Sequence, residues 1–166
     1  MERLAVFNEY RSLLFAIAYR MLGSVSDAED MVQEAWIRWQ STTAIVQSPK
    51  AFLSSVITRL CIDQLRSARI KREKYVGVWL PEPIITETTQ NHAELAESLS
   101  FAFLTLLECL SPTERAIFLL REVFDYDYAD IAKTVGKSVA NCRQIVHRSR
   151  QHLALKRPSI QSSAQS

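Results

Sequence analysis

The stretch Asp127-Tyr-Ala-Asp-Ile-Ala-Lys-Thr-Val-Gly136, continued by Lys137-Ser-Val-Ala-Asn-Cys-Arg-Gln-Ile-Val-His-Arg-Ser-Arg150, decides the fold of the C-terminal half. Asp127 can cap a short helix, and Gly136 can adopt the left-handed conformation that ends it. Ser138 can then cap a second helix after a tight turn. Three residues at helical spacing give the short helix an apolar face: Ile131, Ala132 and Val135. The pattern predicts a helix-turn-helix.

The second helix of this pair has two different faces. Small or apolar residues recur on one face and predict a buried side: Val139, Cys142, Val146 and Ser149. Donor-rich side chains recur on the other: Arg143, Gln144, His147 and Arg148. Such a helix, held by a short helix across a glycine turn, has the geometry that enters a DNA major groove.

The composition indicates a helical protein with packed cores. Of 166 residues, 48% are hydrophobic, and only three are Gly and five Pro. No apolar run approaches the ~20 residues that span a bilayer. The N-terminus passes into an amphipathic pattern without a cleavable signal, so we expect a cytoplasmic protein.

The sequence offers no candidate for catalysis, metal binding or a cofactor. Cys61, Cys109 and Cys142 are far apart and each suits a buried, reduced thiol. His147 and His152 are five residues apart, which does not place them on one helical face for zinc. No glycine-rich phosphate loop or nucleophile signature is present. We therefore expect no enzyme activity, no metal and no cofactor.

Charge is distributed unevenly although the net charge is only +2. Residues 59–75 hold six basic and two acidic side chains, and residues 76–130 hold two basic and ten acidic ones. Residues 131–166 hold seven basic side chains and no acidic one. Two basic blocks separated by an acidic stretch suggest two nucleic-acid contacts. Solvated helix faces would explain the first block equally well.

Three helices are predicted in the N-terminal half. The first covers residues 2–22 and ends at Gly23. Ser26 and Glu29 form a capping box that opens the second helix, which runs to about Gln40. After a loop at 41–48, Ser48 and Pro49 open a long third helix toward Lys74.

Two prolines interrupt the helical pattern in residues 76–92, which we interpret as a linker. Helix signals resume near Ala93, and Ser111-Pro-Thr-Glu114 forms a capping box before the next helix. The sequence thus predicts an all-α chain of two small helical domains. Their bounds are 1–75 and 93–155, with the linker at 76–92 and a flexible tail at 156–166.

Three stretches, in this order, resemble a bacterial sigma factor of the extracytoplasmic-function (ECF, group 4) type. They are Ser26-Asp-Ala-Glu-Asp-Met-Val-Gln-Glu-Ala-Trp-Ile-Arg38, Phe52-Leu-Ser-Ser-Val-Ile-Thr-Arg-Leu-Cys-Ile-Asp-Gln-Leu-Arg66, and the segment from Leu110 to Arg150. The resemblance covers about residues 5–154. It implies that domain 1–75 is sigma region 2 and domain 93–155 is sigma region 4.

The resemblance implies two roles for region 2. Its acceptor-rich helix face would dock on the β′ clamp helices of the RNA polymerase core, through Asp27, Asp30, Gln33 and Glu34. Loop 41–48 and the start of the Pro49 helix would hold a base flipped out of the −10 element. Residues of the third helix would contact the DNA nearby: Arg59, Gln64, Arg66, Arg69, Lys71 and Arg72. Trp36 and Trp39 follow the apolar stripe and are expected in the core.

The resemblance implies that region 4 contacts the polymerase β flap and reads the −35 element as duplex. Side chains of the recognition helix would face base edges, where Arg can hydrogen-bond to guanine and Gln can hydrogen-bond to adenine. The helix start is better placed for phosphate. The expected −35 contacts are Lys137, Ser138, Asn141, Arg143, Gln144, His147 and Arg148.

The linker segment Val78-Trp-Leu-Pro-Glu-Pro83 resembles a subgroup whose members carry an additional SnoaL-like C-terminal domain. No such domain is expected within residues 1–166. The resemblance implies promoter DNA and the polymerase core as partners, with an anti-sigma factor or a regulatory C-terminal domain as further candidates and no membrane partner.

Two other interpretations stay open at this point. A helix-turn-helix regulator would bind a palindromic duplex alone, as a dimer. A helical protein-interaction module, such as an anti-activator, would need no basic recognition helix. A gel shift with and without core polymerase separates the sigma factor from the regulator, and a run-off transcription assay separates it from the interaction module.

Overall fold

The computed structural model describes residues 2–74 and 107–156. The predicted linker at 76–92 and residues 157–166 of the tail lie outside these ranges, as does most of the helix expected from Ala93. The described residues form helices and no strand, as the all-α prediction requires. The helices are α1 (Arg3–Leu22), α2 (Val25–Ser41), α3 (Pro49–Lys74), α4 (Pro112–Glu122), α5 (Tyr128–Val135) and α6 (Val139–Lys156).

The turn between α1 and α2 corrects one prediction. Gly23 ends α1 in the left-handed conformation, with φ 70°, and its N–H donates to Tyr19 O at 2.7 Å. The chain leaves this turn extended at Ser24, whose hydroxyl accepts from the Asp27 amide at 3.2 Å. Ser24 is therefore the cap, and the capping box assigned to Ser26 is wrong. The left-handed glycine already redirects the chain, so the helix begins two residues earlier.

Helices α1, α2 and α3 form a bundle with a continuous apolar core. Trp39 is 6% exposed and lies in that core, as predicted. Its indole N–H donates to Arg3 O at 2.9 Å, which ties the end of α2 to the start of α1. Trp36 is half-buried against the ring of Phe7, with centroids 5.1 Å apart. Both tryptophans pack in or against the core.

The caps of the C-terminal helices follow the sequence closely. Ser111 and Glu114 form the predicted capping box at the start of α4. Gly136 ends α5 with φ 72°, and Ser138 accepts from the Asn141 amide at 3.1 Å. Asp127 occupies the cap position of α5, but its side chain makes no capping hydrogen bond.

The two helical units pack directly against each other, with α4 on α1 and α3, and α5 on α3. Arg115, only 6% exposed, joins them. It donates to Met21 O at 2.7 Å, a carbonyl in the last turn of α1, and to Leu107 O at 3.1 Å. A guanidinium suits a helix C-terminus, where carbonyls lack helical partners and carry partial negative charge.

None of the three cysteines, all of which lie in the described part of the chain, forms a disulfide, but they do not share one environment. Cys61 and Cys142 are buried, as predicted, and burial raises the pKa of both thiols. Cys109 is exposed, so its predicted burial is wrong. It lies in the turn before α4, where a residue spaced like a core position faces outward.

Candidate nucleic-acid interface

Helix α6 presents the predicted recognition face to solvent. Its donor-rich side chains are exposed: Arg143, Gln144, His147 and Arg148. Cys142, Val146 and Ser149 are buried on the opposite face, together with Ile145, while Val139 is half-buried. At the helix start Lys137 and Ser138 are exposed and Asn141 is half-buried. The fold thus brings all seven expected −35 residues together at one end of α6 and along its outer face.

The side chains on this face differ in how they are held. The described residues give Gln144, His147 and Arg148 no hydrogen bond or ion pair. Arg150 is bound to the carboxylate of Glu122 through Nε and Nη2. Two of its three guanidinium nitrogens are therefore engaged. Arg143 lies beside the ring of Tyr128, with Cζ 5.4 Å from the ring centroid.

Helix α3 holds the expected −10 residues, and two of them contact the C-terminal unit. Arg59 donates from Nε to Thr134 O at 2.9 Å and from Nη2 to Lys133 O at 3.1 Å. Arg66 donates from Nη2 to the hydroxyl of Thr113 at 3.0 Å. Gln64 is half-buried, while Arg69 and Lys71 are exposed. The side chain of Arg72 lies outside the described part of the structure.

Hydroxyl groups complete the contact between α3 and the C-terminal unit. Ser54 shares a hydrogen bond with the Tyr126 hydroxyl, and Ser55 shares one with Thr134 at 2.7 Å. Lys50 Nζ lies 5.5 Å from the centroid of the Tyr126 ring. We call this set of contacts, with those of Arg59, the interdomain seam. Burial in the seam raises the pKa of Tyr126, the Ser54 hydrogen bond opposes that rise, and Asp130 adds to it.

An open cleft of about 570 Å³ lies beside the seam. It is lined from α3 by Arg66, from the start of α4 by Thr113, and from α6 and the turn before it by Lys137, Asn141 and Arg148. Residues expected to serve two different DNA elements therefore face one another across a single cleft.

The expected polymerase-binding residues lie on the outer side of α2. Asp30 and Gln33 are exposed, and Asp27 and Glu34 are half-buried. Glu34 forms an i,i+4 ion pair with Arg38, with N and O 3.7 Å apart. Such an exposed pair contributes little stability and can be exchanged for a partner's cation. All four residues share one accessible face, which a basic helix could contact.

In the loop between α2 and α3, expected to hold a flipped base, Ile45 is 96% exposed. A single exposed apolar side chain is common at protein surfaces and does not by itself mark a binding site. Among residues 2–74 and 107–156, no cluster of His, Cys, Asp or Glu has the arrangement of a metal site. Within the same ranges, no helix is long and apolar enough to cross a membrane.

Sequence reasoning missed three residues that shape this region. Arg115 was counted only as a charge, although it joins the two units. Tyr126 and Tyr128 flank Asp127, the cap residue of α5, and both contact charged side chains. No local pattern in the sequence signals these contacts, because they depend on how the helices pack.

Comparison with known families agrees with this architecture. Residues 6–70 match the family model described as Sigma-70 region 2, and residues 100–153 match that of Sigma-70, region 4. The ECF RNA polymerase sigma factor SigJ of Mycobacterium tuberculosis strain H37Rv is 43% identical over 148 residues, covering 87% of this chain and 47% of SigJ. The probable ECF RNA polymerase sigma factor SigI of the same strain is 33% identical over 154 residues, covering 90% and 53%.

Solved structures show the same arrangement of helices. The crystal structure of SigJ matches with a TM-score of 0.68 at 39% identity, covering 88% of this chain and 52% of that one. The sigma factor RpoE of Bartonella quintana, in complex with the anti-sigma factor NepR, matches in fold with a TM-score of 0.63 at 22% identity, covering 90% of each chain.

The chain spans about half the length of SigJ and SigI, and the shared half carries both matched regions in the order found here. The donor-rich face of α6, the basic helix α3 and the acidic face of α2 lie on the elements that these regions define. The chain belongs to the extracytoplasmic-function sigma factors.

Proposed function

We propose that the protein directs the RNA polymerase core enzyme to specific promoters and initiates transcription there. The observation that carries this proposal is the exposed recognition helix α6 in a chain whose N-terminal bundle matches Sigma-70 region 2. A simple helix-turn-helix regulator would need neither that bundle nor the acidic face of α2. The proposal assigns no catalytic chemistry to the protein itself.

The proposed −35 site is the outer face of α6. Arg143, Gln144, His147 and Arg148 project from one exposed stripe, as base-reading side chains must in a major groove. Lys137 and Ser138 lie at the helix start, where N–H groups favour a phosphate. In this assignment the helix start positions the domain and the stripe reads the sequence.

The proposed −10 site is the basic side of α3 with the loop before it. Arg59, Arg66, Arg69 and Lys71 are exposed along that helix and can hold phosphates of an opened strand. Capturing a base from the duplex costs a few kcal/mol of unstacking, which contacts in the loop must offset. The acidic face of α2 would bind the polymerase clamp during this step. Charge pairs at such an interface orient the complex more than they raise its affinity.

The function we propose requires the two units to separate. The −10 and −35 elements are centred about 25 base pairs apart, which is roughly 85 Å of straight duplex at ~3.4 Å per base pair. In the structure Arg59 on α3 is hydrogen-bonded to α5, next to the recognition helix. One closed molecule cannot contact both elements. We infer that binding to polymerase and promoter opens the interdomain seam.

We propose residues 1–75 and 93–155 as the two functional domains, with 76–92 as their tether. The partners are the polymerase core, through its clamp helices and flap, and promoter DNA. An anti-sigma factor is a further candidate partner, because the RpoE relative is seen in complex with one. Since the polymerase acts in the cytoplasm, we place the protein there.

Reconstitution with core polymerase tests the proposal. The purified chain and core enzyme are incubated with a fragment library of the source genome, and transcript starts are sequenced. We expect starts that share an upstream −35 and −10 pattern and depend on the added chain. Binding of palindromic duplex by the chain alone, without any new transcript starts, would instead identify a regulator.

A further inference from the structure

Two arginines of the helix-turn-helix unit lie over the ring of Tyr128. Arg121 Cζ is 4.4 Å from the ring centroid and Arg143 Cζ is 5.4 Å from it. Both distances fall within the ~6 Å at which a cation is attracted by an aromatic face. Arg121 belongs to α4 and Arg143 to α6, so one ring at the start of α5 contacts side chains from both neighbouring helices.

The ring of Tyr128 is held in place by its surroundings. Tyr128 is the first residue of α5, half-buried, and packs against the hydrophobic core. Arg121, on the same ring, is itself held because its Nη1 donates to Tyr126 O at 3.1 Å. The position of the ring is therefore set by α4 and by the turn before α5, independently of the exposed face of α6.

An arginine that packs on an aromatic ring can still bind a ligand through its N–H donors. An arginine paired with a carboxylate has given some of those donors to the carboxylate. Arg150, on the same helix, gives its Nε and Nη2 donors to Glu122. Arg143 has no carboxylate partner among the described residues. A ring attracts the guanidinium through its face, so the N–H donors at the rim of the guanidinium stay free for an acceptor. The ring therefore orients Arg143 without using its N–H donors.

We propose that Tyr128 is a positioning residue for −35 recognition: its ring holds the Arg143 guanidinium in the orientation that presents paired N–H donors to a base edge. This inference rests on the proposed function. A long side chain loses rotamer freedom when it binds, and a side chain already held loses less. Tyr128 would therefore sharpen discrimination at the one base pair that Arg143 reads, without touching DNA itself.

Two substitutions separate the ring from the rest of the residue. Tyr128→Phe keeps the aromatic face, and Tyr128→Leu removes it while keeping apolar bulk. Holoenzyme containing each variant is assayed for transcription on a promoter found by the fragment selection and on derivatives changed at single −35 base pairs. We expect Tyr128→Leu to lower the preference for the cognate base about two- to five-fold at one position, as the loss of an exposed cation–π contact implies. Tyr128→Phe should retain the preference.

A double-mutant cycle distinguishes positioning from a structural role. In an Arg143→Ala background, Tyr128→Leu should have no further effect on base preference, because the side chain that it orients is absent. Phe124→Leu is the matched control. Phe124 is a half-buried aromatic of the same unit that contacts no guanidinium within the described residues. It should lower thermal stability without changing base preference.

A second measurement needs neither DNA nor polymerase. Ring currents from Tyr128 should shift the side-chain proton resonances of Arg143 upfield in the free protein. The shift should survive Tyr128→Phe and disappear in Tyr128→Leu. Unchanged Arg143 resonances in Tyr128→Leu would overturn the inference, as would equal losses on every −35 derivative or a loss that persists in the Arg143→Ala background. If wild-type holoenzyme shows no −35 preference at all, the proposed function fails first and the inference fails with it.

Discussion

The two proposed DNA-binding surfaces of this chain are presented differently. On α6 the recognition side chains are exposed, and Gln144, His147 and Arg148 have no partner among the described residues. On α3 the guanidinium groups of Arg59 and Arg66 are hydrogen-bonded to the other unit. One surface is open in the free molecule and the other is partly covered. In the function proposed above, α6 is accessible to duplex DNA in this state, whereas Arg59 and Arg66 must first be released from the other unit.

The contact of Arg59 with α5 resembles the phosphate contact proposed for this side chain. Arg59 binds the carbonyls of Lys133 and Thr134, which lie in the last turn of α5 before Gly136. The C-terminal end of a helix carries partial negative charge on carbonyls that lack helical partners. A phosphate would offer the same arginine stronger acceptors with a full charge. At the proposed −10 site, a DNA phosphate would therefore compete with this contact.

The interdomain seam differs in chemistry from the buried core. The core is built from apolar side chains of both units, whereas the seam is made by hydroxyls of Ser54, Ser55, Tyr126 and Thr134. Hydrogen bonds between such groups can be exchanged for hydrogen bonds to water at little net cost. The apolar core also continues through α4, which packs on α1 and α3, so separating the units would expose apolar surface there.

Locking the seam should have the largest effect. Ser55→Cys with Thr134→Cys places two thiols where hydroxyl oxygens lie 2.7 Å apart, so a disulfide can form. Cys109→Ser removes the exposed native thiol. The oxidised protein should lose promoter-specific run-off transcription with core polymerase, and reductant should restore it. Each single cysteine variant is the control. If the oxidised double variant, with its disulfide verified, kept full transcription activity, the seam would not need to open.

Arg115→Met should be the most damaging substitution for stability. The side chain is buried, and without it the carbonyls of Met21 and Leu107 lose a charged donor. Hydrogen bonds to charged groups contribute about 1.5–3 kcal/mol each, so we expect a loss of that order in the free energy of unfolding, measured in urea. Lys133→Met, at an exposed side chain, should change it by less than about 0.5 kcal/mol. Equal values for both variants would contradict the role of Arg115.

The proposed −35 surface on α6 can be tested by separating base recognition from phosphate binding. Arg143→Ala should weaken binding selectively to the cognate −35 duplex, by about 1–3 kcal/mol, because Arg143 is assigned to a base edge. Lys137→Ala should weaken binding to all duplexes similarly. It should also reduce the slope of log affinity against log salt concentration by about one. Fluorescence anisotropy with cognate and scrambled duplex measures both. Equal losses on the two duplexes for Arg143→Ala would refute its assignment.

Loosening the seam should uncover α3 by a small amount. Tyr126→Phe removes only the hydroxyl shared with Ser54, which contributes about 0.5–1.5 kcal/mol to the closed arrangement. The free protein should then bind a single-stranded −10 oligonucleotide about two- to ten-fold more tightly. Tyr10→Phe in α1, away from the seam, is the matched control. Weaker binding by Tyr126→Phe would show that the seam supports the strand site and does not cover it.

The pH dependence of the seam should be the smallest effect. Burial raises the pKa of Tyr126 above its ordinary value of 10.0, so the closed arrangement favours the neutral phenol. This contribution is fully present below pH 10.0 and is lost as the pH rises through the raised pKa. Phenolate absorbance should show one tyrosine titrating late, and Tyr126→Phe should remove that component. Its persistence in the variant would assign it to another tyrosine.

Sequence patterns predicted the local elements well because helix ends depend on nearby residues. The capping box at Ser111 and the left-handed stop at Gly136 are confirmed. The cap at Ser26 is wrong because a competing serine, Ser24, follows Gly23 directly. Spacing alone could not choose between two serines two residues apart, since the choice depends on how the chain leaves the turn.

By itself the sequence determined the all-α class, the two faces of α6 and the family, since each depends on periodicity or on residues close together in the chain. Tertiary structure alone decided which predicted DNA-binding arginines are free, because Arg59 and Thr134 are 75 residues apart and meet only when the two units pack. It also decided that Tyr128 contacts Arg143, since that contact requires the turn at Gly136 to bring α6 back across the start of α5. Contacts between distant segments depend on how helices pack, and no local pattern in the chain records that packing.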